Sequence, residues 1–198
     1  CDETYAGSGM TVLEGNTVCF LYDAADVSPL YGSLSVSGDN IFSTPDAFLA
    51  TSIDGGTDQT TGIGTVRVVA KEGYQLETIN VGERGNYRLS GAGSSVDVDA
   101  TLDVFDWSSP LFGTSESSNL TITGDLSLQD GDLHNWSGLA SVDLSTAMWN
   151  DVNDVGLTLT NILTASTMTA SESASIQKTM SGTELITIFT TPIPVPGA

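Results

Sequence analysis

The stretch SVDVDATLDV, residues 95–104, alternates apolar and polar side chains without interruption. Successive side chains of a β-strand point to opposite faces, so this pattern predicts a strand with one buried and one solvated face. The polar face carries three carboxylates, those of Asp97, Asp99 and Asp103. Two carboxylates at suitable separation would serve a glycosidase, but a solvated outer face is the interpretation that we adopt for this row.

Period-two alternation recurs along most of the chain. The next clearest run is Val155 to Leu163, and weaker runs follow the same pattern: Gly64 to Lys71, Gln75 to Val81, Asn119 to Leu128, Leu139 to Met148, Ser173 to Met180 and Glu184 to Thr191. No window has a helical stripe, although Pro45 to Thr51 could hold a short helical turn. The runs are rich in Thr, Val, Ile, Leu and Ser, which suits strands.

Turn-forming residues separate these runs at hairpin distances. The predicted turns are Asp54-Gly55-Gly56, Glu83-Arg84-Gly85-Asn86, Gln129-Asp130-Gly131-Asp132 and Ser181-Gly182. Strands at this spacing without intervening helices predict an all-β fold, an antiparallel β-sandwich of jelly-roll type. The 198 residues suffice for one such domain, which we place at residues 1–190, with a Pro-rich tail at residues 191–198.

The charge excludes some classes of partner. Five basic residues face 25 acidic ones, a formal net charge of −20. Such a chain repels a phosphate backbone, so we expect no nucleic-acid partner, and no apolar run is long enough to predict a membrane span. Cations are the expected counterparts, although the charge also keeps an extracellular protein soluble.

The chain has two cysteines, Cys1 and Cys19. Their spacing matches no metal motif, and an even count in an exported protein predicts a disulfide between them. Closing a loop of this length stabilises the fold by about 3 kcal/mol in the chain-entropy model. A lipidated Cys1 is the alternative, and it would leave Cys19 unpaired.

The search for catalytic residues gives no candidate, so we predict that the protein is not an enzyme. His134 is the single histidine, which excludes a multi-histidine zinc site within one chain, and no Gly-x-Ser-x-Gly elbow is present. We interpret His134 as a turn residue. Glu83 beside Arg84 belongs either to a buried ion pair or to an ordinary turn.

Calcium is the metal ion that the sequence favours, because Ca²⁺ is bound by several oxygens from closely spaced Asp and Asn side chains in loops. Three loops have that composition: Asp54 with Asp58, Asp130 with Asp132, and Asp151 with Asp154. None matches the EF-hand pattern, and Asp and Asn also favour turns for backbone reasons. Trp107, Trp136 and Trp149 are candidates either for a sugar-stacking platform or for packing at a sandwich edge.

The C-terminal stretch Ile193-Pro194-Val195-Pro196-Gly197-Ala198 resembles the proline-containing motif of the PEP-CTERM sorting signal, with Pro194, Val195 and Pro196 at its centre. In that family an apolar helix and a basic tail follow the motif, and an exosortase acts there during export. This sequence has neither, so it resembles a product processed at the motif or a chain cut there. The β-rich body has a loose sequence similarity, without a defined motif, to the ectodomains of that family, for example at Gly82 to Tyr87.

The resemblance implies export by a Gram-negative bacterium, to the medium or the cell surface, and association with extracellular polysaccharide or matrix. We therefore expect a non-enzymatic structural protein of the matrix, a surface layer or a surface fibre. Self-association by strand addition, with Asp2 to Met10 pairing to a neighbour's sheet edge, is the expected mode of assembly. The alternative for this segment is that Cys1, tethered to Cys19, folds it back onto its own sheet. The alternative is a soluble carbohydrate-binding or adhesion module.

Overall fold

A computed structural model describes residues 1, 5, 9–109, 111, 113–149, 152–179 and 184–194, and it consists of two antiparallel sheets packed together. Strands make up 64% of it, and the elements between them are short 3-10 turns. The predicted all-β antiparallel sandwich is therefore confirmed, whereas the jelly-roll connectivity stays a prediction. Within the described residues, no helix is long and apolar enough to cross a membrane.

The strands in chain order are β1 (Thr11–Glu14), β2 (Val18–Tyr22), β3 (Leu34–Ser37), β4 (Asn40–Ser43), β5 (Leu49–Ile53), β6 (Gly56–Ala70), β7 (Tyr74–Ser90), β8 (Ser95–Asp106), β9 (Ser115–Asn119), β10 (Thr121–Thr123), β11 (His134–Asp143), β12 (Asp154–Thr167), β13 (Ser173–Lys178) and β14 (Glu184–Pro192). Short 3-10 turns accompany them at Ala24–Asp26, Pro29–Tyr31 and Ala147–Trp149.

The first sheet has the order β1-β2-β6-β12-β8-β9. Its centre is β12, which pairs along its whole length with β6 and along most of it with β8. The stretch 95–104 lies in β8, where Val98, Ala100, Leu102 and Val104 are buried. Asp97 and Asp99 are exposed on the opposite face, as the alternation predicts.

The second sheet has the order β10-β11-β7-β14-β4-β3, and β13 and β5 extend it beside β7. The long strand β7 has β11 on one side. On its other side it pairs first with β14, over residues 74–81, and then with β13, over residues 85–90. The centre of β7, around residues 82–84, therefore lies where β13 ends and β14 begins.

This arrangement corrects one predicted turn. Residues 83–86 do not form a hairpin but lie in the middle of β7. The alternation of side chains continues through them, since Val81, Glu83, Tyr87 and Leu89 are all buried. Two neighbouring ladders outweigh the local turn preference of Arg84-Gly85-Asn86.

Other predicted boundaries shift by a few residues. Residues 45–48 are not helical, and β5 begins at Leu49. The run predicted at residues 119–128 is divided between β9 and β10, and it ends at Thr123. The turn at residues 54–55 is present between β5 and β6, whereas Ser181 and Gly182 lie outside the described residues.

A disulfide joins Cys1 to Cys19, with their Cα atoms 5.6 Å apart. The predicted pairing is thus confirmed. Cys19 lies in β2 and is buried, so the bond fixes the start of the chain to the first sheet. The Tyr5 ring also lies against this sheet, 5.3 Å from the Arg67 guanidinium of β6.

The last strand runs further than residue 190, where we placed the domain end. Thr191 and Pro192 still pair with β7, and the Ile193 N–H donates to the Gly73 carbonyl at 2.9 Å. Successive N–H groups of a strand point to alternate sides, and the N–H of Ile193 points to β7. The N–H that Pro192 lacks would therefore point to the opposite side of β14, and β4 does not extend along that side as far as Pro192. Val195 and Pro196 of the sorting-type motif lie outside the described residues, and Pro194 lies near their end.

Candidate functional site

The most unusual chemistry in the molecule lies between the sheets. Lys178 at the end of β13 and Glu83 in the centre of β7 form an ion pair, with 2.5 Å between Lys178 Nζ and Glu83 Oε1. Both side chains have 0% exposure. Burying two charges is costly unless they are well paired, so this contact is a strong constraint on the fold.

Strand alternation places both residues inward. In β13, Ala174, Ile176 and Lys178 share the buried face, and in β7 Glu83 continues the buried face after Val81. Gly85 lies opposite Lys178 in the register. A Cβ at Gly85 would lie 2.0 Å from the Gln177 carbonyl oxygen, so glycine is needed for this close approach of β13.

Two aromatic rings surround the ammonium group. Lys178 Nζ lies 4.9 Å from the Tyr31 ring centroid and 5.2 Å from that of Phe48. The two rings pack edge to face, with centroids 5.7 Å apart. Ring faces attract a cation, which offsets part of its lost hydration.

The facing sheet contributes Asn161, which lies on the inward side of β12 and is completely buried. Its Nδ2 donates to the Tyr31 hydroxyl at 3.0 Å. That hydroxyl in turn lies 3.3 Å from the Gly62 carbonyl oxygen and 3.2 Å from that of Leu159, and it can donate to either. Tyr31 therefore contacts Lys178 with its ring and Asn161 with its hydroxyl. We call Tyr31, Phe48, Glu83, Asn161 and Lys178 the core polar cluster.

The core polar cluster is incompletely satisfied. Glu83 Oε2 and Asn161 Oδ1 are buried and have no hydrogen-bond partner within the part of the chain that the structure describes. Buried polar atoms in native proteins nearly always have partners, so two unpartnered acceptors in one cluster require an explanation.

Burial changes the acid–base properties of the cluster. Desolvation lowers the pKa of the Lys178 ammonium, and the neighbouring Glu83 carboxylate opposes that change. Burial, together with the Glu83 charge, raises the pKa of the Tyr31 hydroxyl, so this group stays protonated. An amine whose charged form is disfavoured is a better nucleophile than an ordinary lysine.

The predicted calcium ligands are distributed over separate contacts. Asp54 Oδ1 accepts from the Ser171 N–H at 3.2 Å, and Asp58 Oδ2 accepts from the Thr51 N–H at 2.8 Å. Both carboxylates thus hold backbone groups around the turn between β5 and β6.

In the other two predicted calcium loops, the described carboxylates also bind groups of the protein itself. Asp130 Oδ1 lies 2.8 Å from His134 Nε2 and accepts from the Asp132 N–H at 2.9 Å, and the hydrogen bond with His134 lowers the pKa of Asp130. Asp154 binds Arg67 through both oxygens, at 2.7 and 2.5 Å, while Asp151 lies outside the described residues.

No group of three metal-ligating side chains occurs among the residues that the structure describes. The three-loop calcium hypothesis therefore stays a prediction.

The tryptophans do not form an exposed row. Trp136 and Trp149 are buried in the core, with 2% and 1% exposure. Trp107 stacks on Phe105, with ring centroids 5.9 Å apart, and lies 5.3 Å from the Arg67 guanidinium. The alternative that tryptophans pack the sandwich is the one that the structure supports.

The comparisons with known proteins add little. No protein-family model and no curated protein matches the chain. Among solved structures, the chain is similar to the "Structure of infectious bursal disease virus Gt strain", with 8% sequence identity and a TM-score of 0.19. The match covers 90% of this chain and 52% of that chain, so the chain spans about half the length of the structure that it matches. A similarity with so low a TM-score carries no argument about function.

Proposed function

We propose that the protein is a non-enzymatic structural component of the exterior of a Gram-negative bacterium, in the matrix, a surface layer or a surface fibre. The observation that carries this proposal is the core polar cluster. Its amine, carboxyl and carboxamide groups have no access to solvent and lie between the two sheets. They serve the cohesion of the sandwich, because a soluble substrate cannot reach them.

The disulfide and the charge support an extracellular location. Disulfides persist in oxidising compartments, and Cys1–Cys19 is one. The formal net charge of −20 keeps the monomers apart at low ionic strength and makes their association depend on cations. An extracellular polysaccharide, bound by the assembled form, is the partner that we propose on the basis of the PEP-CTERM resemblance.

Strand addition is the proposed mode of assembly, and the open sheet edges support it. Among the described strands, β1 pairs only with β2, and β3 pairs only with β4. Unpaired edges invite a strand from another chain. The proposed donor, Asp2 to Met10, lies largely outside the described residues. Its described member Tyr5 and the adjacent Cys1 contact the chain's own first sheet. We therefore base the proposal on the edges.

The test is the assembly state of the purified protein. We expect concentration-dependent polymers, seen by light scattering after size exclusion and by negative-stain microscopy, that form without glycan and increase with salt. A protein that stays monomeric at all concentrations and salts contradicts the proposal. If that monomer binds immobilised glycans, the carbohydrate-binding alternative is favoured instead.

A further inference from the structure

Three groups with complementary chemistry lie in the core polar cluster. The Lys178 amine is 2.5 Å from the Glu83 carboxylate, and the buried Asn161 carboxamide belongs to the facing sheet. Lys178 and Asn161 contact the same side chain, since Nζ lies 4.9 Å from the Tyr31 ring centroid and Asn161 Nδ2 lies 3.0 Å from the Tyr31 hydroxyl. An amine, a carboxamide and an acid–base group are the components required for amide exchange.

The surroundings favour a reaction between them. All three side chains are fully buried, and the rings of Tyr31 and Phe48 make the space apolar. In such a medium desolvation disfavours the ammonium form of Lys178, which reduces the cost of moving a proton from it to the contacting carboxylate. Transfer of one proton from Lys178 to Glu83 therefore yields a neutral amine, which is the nucleophilic form of lysine.

We propose that Lys178 and Asn161 become joined by an amide bond between Lys178 Nζ and Asn161 Cγ, with Glu83 transferring the protons. Nζ attacks Cγ after it has given its first proton to Glu83. The protonated Glu83 then donates to Nδ2 while it takes the second proton from Nζ. The Nζ–Cγ bond forms, the Cγ–Nδ2 bond breaks, and ammonia leaves.

The reaction balances without any co-reactant. It begins with an ammonium, a carboxylate and a carboxamide, and it ends with a secondary amide, a neutral carboxylic acid and ammonia. Both buried charges disappear, which removes the desolvation cost that the unreacted pair carries. The unpartnered Glu83 Oε2 then has a role, because it is the second oxygen of the proton-transferring carboxyl and no other described group occupies it.

The bond would connect β12 of the first sheet with β13 of the second. The reaction occurs once per molecule and is not turnover, so it is compatible with a non-enzymatic protein. The inference goes beyond the proposed function and does not depend on it, since a monomeric binding module could carry the same bond.

The mass of the intact full chain tests the proposal. After reduction of the disulfide, we expect the protein to be lighter than its sequence by one ammonia. Glu83→Gln should retain the full mass, whereas the control Glu72→Gln, at an exposed glutamate beside β7, should still lose ammonia. Asn161→Asp should lose water instead and reach the same product mass as the wild type.

Digestion locates the bond without relying on any variant. Lys178 is the only lysine or arginine after Arg88, and an acylated lysine is not a trypsin site. We expect trypsin to leave residue 178 uncleaved. Cleavage after Glu172, between Asn161 and Lys178, should leave the two fragments joined in one branched peptide.

The outcomes are distinct. An unchanged mass together with tryptic cleavage after Lys178 overturns the proposal. A loss of water, with a branched peptide that carries Glu83, would make Glu83 the acyl partner and would overturn the assignment to Asn161. Neither result depends on whether the Glu83→Gln variant folds, because both are measured on the wild-type chain.

Discussion

Lys178 Nζ and Glu83 Oε1 lie 2.5 Å apart in the interior of the sandwich, although the two residues are 95 positions apart in the sequence. Neither side chain reaches solvent. The pair lies at the point where the strand beside β7 changes from β13 to β14. It therefore fixes the register of the second sheet at that point. A one-residue slip of β13 would turn Lys178 outward together with Ala174 and Ile176, and it would leave Glu83 buried without a partner.

The first prediction concerns the removal of one member of this pair. In an Asn161→Ala background, where the proposed amide bond cannot form and the ion pair persists, Glu83→Gln leaves the Lys178 amine buried without a carboxylate. Relative to that background we expect a loss of about 3–5 kcal/mol in the free energy of unfolding. Replacing both, as Glu83→Leu with Lys178→Met, should recover much of that loss, because an apolar pair has no desolvation cost. Urea unfolding followed by tryptophan fluorescence measures both values.

The exposed Glu72 provides the control for this experiment. Glu72→Gln should change the free energy of unfolding by no more than about 0.5 kcal/mol, as is usual for surface substitutions. If Glu83→Gln were as stable as Glu72→Gln, the ion pair would not have the structural role that we assign to it.

The fold class could be predicted from local alternation, since runs such as 95–104 and 155–163 are visible without knowledge of their partners. The turn predicted at residues 83–86 was wrong because that prediction also used only the local sequence. Charged residues, glycine and asparagine favour turns, but in β7 pairing with β11 on one side and with β13 on the other decides the conformation. Such pairing comes from distant parts of the chain.

The core polar cluster was only half visible in the sequence. A buried ion pair was one interpretation of Glu83, but with Arg84 as its partner, and Arg84 is exposed. A usable signal was present, because Asn161 and Lys178 each occupy the inward position of an alternating run, after Leu159 and Ile176. Their convergence on Tyr31 could not be predicted, since Tyr31 lies in a 3-10 turn between strands.

The second prediction concerns acid stability. The Glu172 carboxylate accepts hydrogen bonds from three backbone N–H groups, those of Thr169, Gly93 and Met168, and these bonds lower its pKa from the usual 4.5. A carboxyl whose pKa is lowered by folding stabilises the fold above its unfolded pKa and loses that contribution as the pH falls through the folded pKa.

We therefore expect Glu172→Gln to have a lower melting temperature than the wild type at pH 7, with a difference that shrinks progressively below pH 4.5. Thermal unfolding monitored by circular dichroism at several pH values tests this. A difference in melting temperature that is equally large at pH 7 and at pH 2 would contradict the prediction. It would mean that the charge of Glu172 has no part in joining the β7–β8 loop, which contains Gly93, to the β12–β13 loop, which contains Met168 and Thr169.

The third prediction concerns cations. With 25 acidic residues against five basic ones, the folded chain repels itself and its copies. Added salt screens this repulsion, and Ca²⁺ bound at the predicted loops would neutralise part of it, so thermal stability and assembly should both rise with either. Differential scanning calorimetry with NaCl, with CaCl₂ and with EDTA separates the two effects.

Magnesium at equal ionic strength is the control. A response to Ca²⁺ that exceeds the response to Mg²⁺ supports specific sites at Asp54, Asp130 or Asp154, whereas equal responses support screening alone. Indifference to both ionic strength and EDTA would contradict the role of cations in assembly.

The last prediction concerns the open edge of β3. Ser37 pairs with Asn40 across the two-residue loop Gly38-Asp39, and in such a hairpin the closing pair is hydrogen-bonded. N–H groups alternate along a strand, so the Ser35 N–H faces β4 and the Val36 N–H faces the open edge. Val36→Pro removes a donor that only another chain would use, and it also removes a side chain that packs against the core. It should weaken assembly while the monomer still folds with somewhat lower stability. Ser35→Pro is the matched substitution, since it removes a bond within the hairpin and should cost the monomer about 1–3 kcal/mol.

Sedimentation velocity over a concentration series, with the melting temperature of each variant, tests both. If Val36→Pro assembles as the wild type does, this edge is not the contact, and β1 becomes the edge to be changed in the same way.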